Sequence, residues 1–144
     1  PSFFPSHLYY FGDMHCEITF GPERAAKMCP TRSAADRGLR FTIHNDATVT
    51  PTLPLHLIWC AVNRKTVSGR ILGSEQGISP MQGLRAHTID AAWQVFQEKS
   101  RGSIETGKRA DFAILSANPL DHIDTIKDIR VEQTIIKDVT VFKA

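Results

Sequence analysis

The sequence predicts an α/β chain that runs out into a small all-β unit. Three observations carry this. A helical run stops at Gly38 and is followed at once by a β-prone run, residues 39–45 (LRFTIHN), which is the αβ step of an α/β fold. Two further runs, 55–65 and 79–97, repeat apolar residues at helical spacing. From residue 111 onward only β-rich runs occur.

Residues 1–22 are rich in Phe, Tyr, Pro and Gly without a clean period, and read as a strand end followed by a long loop. Residues 23–37 (ERAAKMCPTRSAADR) are split by Pro30 into two short helices, the second capped by Ser33 and stopped by Gly38. A Pro-rich turn at 50–54 precedes a helix in which Leu55, Ile58, Trp59 and Val62 fall on one face. Residues 66–78 form a Gly-rich loop. Ser79-Pro80 then starts a helix, with Ser as N-cap and Pro at the first helical position. Leu84, Thr88, Ala91, Ala92 and Val95 line one face of that helix, which reaches about Gln97, with Gly102 just past its end. Residues 104–108 form a turn and 111–115 (DFAIL) a strand. Asn118-Pro119 is another turn, and the β-rich runs 130–136 and 139–142 pair as a hairpin about Lys137-Asp138.

Bulk properties exclude several classes. A chain of 144 residues suits one domain. The net charge is +2 and no block of five like charges occurs, so the sequence carries no nucleic-acid footprint. No apolar run approaches the roughly 18 residues of a membrane span. The N-terminus, PSFFPSHLYYFGD, has neither the layout of a signal peptide nor an initiator Met, and reads like the middle of a longer chain. Cys16, Cys29 and Cys60 are odd in number with no CxxC, which fits a reducing, cytoplasmic setting.

Candidate chemistry centres on residue 46. Groups just past the carboxyl end of a strand face the binding crevice of a parallel α/β fold. A carboxylate there, Asp46, can ligate a divalent metal and take a proton from water, or it can close an Asx-turn. His44 lies two residues earlier, so on an extended strand it shares a face with Asp46. The pair can ligate one metal or orient one another, or His44 can be a satisfied core histidine. Asn45 points the other way, as a turn former. His7 and His15, with Asp13 between them, sit in the aromatic N-terminal segment as substrate contacts or as plain loop residues; their spacing matches no metal signature. Cys16, beside His15, reads as a soft ligand or a buried thiol. Arg64 can grip a carboxylate or answer the helix dipole, the second being the plainer reading. His87 and Trp93 read as packing residues, and His56 and His122 have no partner in sequence. There is no G-x-S-x-G, P-loop or G-x-G-x-x-G. What remains is metal-assisted or substrate-binding chemistry around residue 46.

Two stretches carry a resemblance: FTIHNDATVTPTLPLHLIWCAVNRKT (41–66) and EQGISPMQGLRAHTIDAAWQVFQEKSRGSIETGKRADFAIL (75–115). Their most specific parts are HNDA at 44–47, TIDAA at 88–92 and GSIETGKRADF at 102–112. They resemble the C-terminal part of the amidohydrolase superfamily, in the branch that contains N-substituted formamide deformylases. The resemblance implies the C-terminal fragment of a (β/α)8 barrel, about strands 7 and 8 with their helices, followed by part of a small β-sandwich. The division falls at residues 1–101 and 102–144. It implies a divalent metal, commonly zinc, in the full-length enzyme and a small-molecule amide-type substrate. It places Asp46 at the end of strand 8, as metal ligand and proton acceptor, with His7 and His44 as substrate contacts. The other ligands of that family, an H-x-H first among them, have no match here, so the 144 residues alone are expected to be inactive and to hold no metal. Thr48 stands where Pro is common, and Gly83 where a helix former is common. Open strand edges imply a homo-oligomer or pairing with another chain. The alternative reading is a non-catalytic binding or assembly module derived from an amidohydrolase.

Overall fold

The computed structural model describes residues 1–144. Its order is β1 (Ser2–Phe3), α1 (Ser6–Met14), a π-helical turn (His15–Thr19), α2 (Pro22–Ala26), α3 (Thr31–Asp36), β2 (Thr42–Ile43), α4 (Pro54–Asn63), α5 (Pro80–His87), α6 (Ile89–Gln94), β3 (Phe112–Leu115), β4 (Val131–Ile136) and β5 (Val139–Lys143). Short 3-10 turns lie at Ser74–Gln76 and Ile123–Asp128. β1 and β2 pair in parallel, and β3, β4 and β5 form an antiparallel meander in sequence order. The α/β class and the late, all-β unit agree with the sequence. No helix is long and apolar enough to cross a membrane.

Helix α4 is the centre of the core. Leu57, Ile58, Trp59, Cys60 and Ala61 are all buried, and they cluster with Ala34, Phe41, Ile43, Ile78, Ala86 and Ile126. A helix buried on most of its circumference gains about 1.5–3 kcal/mol for each large side chain removed from water. The 123–128 turn docks on it: the Trp59 Nε1–H donates to the Asp124 carbonyl at 2.7 Å, and the Lys127 ammonium lies 5.6 Å from the Trp59 ring. Helix α5 approaches α4 closely at Gly83, where a Cβ would come within 2.8 Å of Ile58 Cγ2. A better helix former at 83 would hold the two helices apart.

The carbonyl ends of the loops converge on one buried cation. Arg64 is 1% exposed and sits at the C-cap of α4 in the left-handed region, φ +53°. Its Nε donates to the Leu72 carbonyl at 2.7 Å, Nη1 to Cys29 at 3.0 Å, and Nη2 to Met28 at 2.8 Å and Ala26 at 3.2 Å. It therefore neither grips a carboxylate nor simply answers the dipole of its own helix. Instead it satisfies acceptors that the 26–29 segment and the 66–78 loop would otherwise bury unpaired. Gly73 makes the closure possible. Its φ is +59°, and a Cβ there would lie 2.0 Å from the Ala26 oxygen.

Several local expectations need correction. The long loop expected within 1–22 is mostly helix: Pro5 sets φ at −66° at the N-cap of α1, and Leu8 and Gly12 bury one side of it. Helix α3 begins at Thr31 rather than at a Ser33 cap, because the Thr31 hydroxyl and the Ser33 N–H are both engaged by Gln76, at 2.8 and 3.0 Å. The strand expected over 39–45 is reduced to Thr42–Ile43, the length of its partner β1. The helix expected to reach Gln97 breaks at Thr88, whose hydroxyl donates to the Leu84 carbonyl at 2.7 Å and competes with the helical ladder. Trp93 is 41% exposed and lies against the Arg40 guanidinium at 4.9 Å rather than packing inside. The Ser79 cap, by contrast, forms the full reciprocal capping box with Gln82.

Two stability measurements follow. Arg64→Lys leaves at least one buried carbonyl unpaired and replaces a planar fork by a point charge. It should lower unfolding free energy by about 2–4 kcal/mol in denaturant melts; a loss under about 0.5 kcal/mol means the carbonyls are satisfied without it. His7, His56 and His87 are each held below the ordinary histidine value of 6.5, burial being the first cause in all three. Unfolding lets them take up protons, so the stabilisation is present above pH 6.5 and is lost as pH falls below it. The melting temperature should therefore drop as pH is lowered toward about 5, and His87→Asn should flatten the drop. A melting temperature that rises over that range contradicts the assignment.

Candidate functional site

The β1–β2 pair brings two exits to one rim. Ser2 lies opposite Thr42 and Phe3 opposite Ile43. The His44 N–H donates to the Phe3 carbonyl at 2.9 Å and the Thr42 N–H to the Pro1 carbonyl at 3.0 Å. Because the pair is parallel, both carboxyl ends leave on the same side. One continues through Phe4 and Pro5 into α1, the other through His44, Asn45 and Asp46. The hydroxyls of Ser6 and Thr50, both buried, lie 3.1 Å apart and fasten the two exits. The Thr50 hydroxyl also donates to the Asn45 carbonyl.

Strand alternation sorts the rim residues. His44 and Asp46 are exposed, while Asn45 between them is buried, its Nδ2 without a partner. Asp46 has φ +52°, the left-handed region that Asp tolerates better than most side chains. The turn closes through its backbone carbonyl, which accepts from the Val49 N–H at 2.7 Å. His44 is turned toward β1: its Nδ1 lies 2.7 Å from Ser2 Oγ, and its ring stacks with Phe4 at 5.5 Å.

His7 stands on the first turn of α1 and stacks with the same Phe4 ring at 5.2 Å. Phe4 thus links the two expected histidines. Burial, and then the neighbouring His15 imidazole, hold His7 below the ordinary histidine range; the Asp46 carboxylate pulls the other way, so its field reaches His7. His15, on the π-helical turn, lies with its Nε2 3.0 Å from the Nε2 of His7. Its ring stacks with Phe20 at 4.7 Å, and its Nδ1 is buried without a partner. The sequence offered His15 only as a loop contact. Its meeting with His7 depends on a helix running through 6–14, since eight residues span about two helical turns.

Asp13 belongs elsewhere. Its carboxylate accepts from the Thr66 hydroxyl at 2.9 Å and the Ser68 hydroxyl at 2.8 Å, with the Arg70 guanidinium at 3.8 Å. No three His, Cys, Asp or Glu side chains converge where one cation could sit. A catalytic zinc takes three protein ligands and a water, so this chain's donors do not complete such a centre. Asp46 is an exposed oxygen donor at the rim. A cavity of about 680 Å³ opens between α5–α6 and β3, lined by Leu84, His87, Val95, Ile104, Phe112 and Leu115 among others; no rim residue belongs to it.

Comparisons with known proteins place the chain in a family. An N-substituted formamide deformylase of Arthrobacter pascens is 31% identical over 114 residues, 78% of this chain and 21% of that protein. An imidazolonepropionase of Treponema denticola is 31% identical over 97 residues, 65% of this chain and 21% of that protein. The chain therefore spans about a fifth of the length of these relatives. Among solved structures, an amidohydrolase from Thermotoga maritima superposes with a TM-score of 0.60 at 23% identity, over 79% of this chain and 26% of its own. A metal-dependent hydrolase from Pyrococcus horikoshii superposes with a TM-score of 0.68 at 20% identity, over 83% and 24%. At these identities the structural likeness is one of fold. The profile of the amidohydrolase family matches residues 1–142. The chain belongs to the amidohydrolase family.

Proposed function

We propose that the intact protein is a metal-dependent hydrolase of non-peptide carbon–nitrogen bonds, acting on a small amide or formamide. In this reading residues 1–101 are the end of a (β/α)8 barrel, with β1 and β2 as its last two strands, and residues 102–144 are strands of a β-sandwich. The observation that carries it is the exposed Asp46 carboxylate at the carboxyl end of a parallel pair, in a chain of this family. The formamide deformylase relative supports the substrate class. Three free cysteines support a reducing, cytoplasmic setting.

A divalent ion, zinc by the family resemblance, would polarise the substrate carbonyl and the attacking water. Asp46 contributes one donor to it. Asp46 also takes the proton released by the water and returns it to the departing nitrogen, a role that suits a carboxylate exposed to solvent. His44 and His7 stand beside it as substrate contacts, aligned through Phe4. The remaining donors come from the rest of the protein.

The alternative reading is a non-catalytic binding or assembly module derived from an amidohydrolase. Substitution in the full-length protein separates the two. Asp46→Asn keeps a residue that tolerates positive φ, so the melting temperature should hold. The turnover rate should fall about 10²- to 10⁴-fold. Unchanged turnover removes Asp46 from the chemistry, and no amidase activity in the wild type favours the module.

The chain by itself should be inactive even with added zinc. Ile136, Val139, Val141 and Phe142 are exposed on a three-stranded sheet with open edges, so it should also self-associate in light scattering. A monomeric, zinc-activated preparation of these 144 residues sinks the proposal.

A further inference from the structure

We infer that His7 and His15 form a two-imidazole chelating site for a borderline divalent transition-metal ion, separate from the rim carboxylate at Asp46. The two Nε2 atoms lie 3.0 Å apart. A histidine nitrogen sits about 2.0–2.1 Å from its metal, so two such ligands on one ion are about 2.9 Å apart at a right angle and about 3.3 Å apart at the tetrahedral angle. The observed spacing matches cis positions of a square-planar or octahedral ion. Cis imidazole ligation of this kind suits copper(II) or nickel(II).

Both rings are clamped before any ion arrives. His7 stacks with Phe4 at 5.2 Å and meets the edge of Phe11 at 5.1 Å, while His15 stacks with Phe20 at 4.7 Å. Ligands whose rotamers are fixed by packing lose little freedom on binding. His15 is 7% exposed and His7 about half-buried, so solvent reaches the pair from the His7 side. The competing description is a shared proton in a single N–H···N bond. The buried Nδ1 of His15 has no partner in that bond or with an ion on Nε2, so the spacing and the clamped rings carry the assignment. Asp13, the carboxylate nearest in sequence, is engaged by Thr66 and Ser68 and does not compete for the pair.

The test uses full-length protein preloaded with zinc and titrated with Cu2+ alone. The expected result is one copper bound with nitrogen hyperfine structure in its electron paramagnetic resonance spectrum, lost in His7→Gln and in His15→Gln but kept in Asp46→Asn. Near-ultraviolet circular dichroism monitors folding. If buried His15→Gln disturbs it, the half-exposed His7→Gln decides alone. Copper uptake unchanged by the histidine substitutions, absence of nitrogen coupling, or loss of copper only in Asp46→Asn each overturns the assignment. Amidase activity does not enter the readout, so the hydrolase reading can fail while this one stands.

Discussion

The guanidinium of Arg64 gathers carbonyls from two stretches of chain, 26–29 and Leu72, at the end of the helix that forms the core. Its effects reach the rim through a short series of contacts. Once Leu72 is held, the loop behind it runs over α1, with an isolated bridge between Lys65 and Ile71. That loop presents the Thr66 and Ser68 hydroxyls, which take Asp13 near the end of α1. Arg70 from the same loop reaches Glu17 at 2.9 Å, and Glu17 is part of the π-helical turn. The turn carries His15, and His15 faces His7. A buried cation with neutral partners thereby fixes the position of an imidazole pair that it does not touch. The exposed Arg70–Glu17 pair contributes little by itself; its value is in closing a loop that Arg64 has already placed.

The rim shows how little regular structure a site of this kind requires. Two strands of two residues each suffice, because register is fixed at both ends. At the amino end the Thr42 N–H is paired with the Pro1 carbonyl; at the carboxyl end the His44 N–H is paired with Phe3, and Ser6, Thr50 and the Asn45 carbonyl form a buried hydroxyl relay. A one-residue slip would exchange the faces of His44 and Asn45, burying the imidazole and exposing the amide. The same alternation leaves Asp46 exposed, and its left-handed conformation turns the chain toward the Pro-rich 50–54 segment. The hydroxyl relay holds the backbone, so the carboxylate keeps its place without being consumed by the fold.

What was legible in the sequence was local. The Ser79-Pro80 start, the period of α4, the DFAIL strand and the Lys137-Asp138 turn depend on neighbours within a few residues, and each formed about where its signal lay. Helix α1 was not legible, since Tyr, Phe and Gly give weak helical preference; the burial of Leu8 and Gly12 against distant residues decides it. Arg64 misled for the same reason. Three of its four acceptors are 35 to 38 residues away, and no spacing rule reports them. Asp46 was ambiguous between a turn and a ligand until the later GSIETGKRADF segment supplied a family context. His15 meets His7 only because 6–14 is helical, and no local signal reports that pairing. Gly83 looked like a defect in a helix, and the Ile58 methyl 2.8 Å from its absent Cβ gives the reason for it.

The two halves of the chain differ in how far they satisfy themselves, and this bears on where function can reside. Around α4 the apolar residues are enclosed by this chain's own elements, from Phe41 to Ile126. The rim and the imidazole pair are built on that enclosed half, so their geometry rests on contacts already complete. The β3–β5 sheet is different: every residue of β5 is exposed, including Val139, Val141 and Phe142. Apolar area left in water forgoes about 25 cal/mol per Å², so a face of this kind gains most by being covered. A sheet that contributes so little to its own burial is poorly suited to hold reacting groups to the few tenths of an ångström that chemistry demands. Its apolar face suits attachment. On the proposed reading, recognition and proton transfer fall on the α4 side, where Asp46, His7 and His15 are carried by hydrogen-bonded backbone.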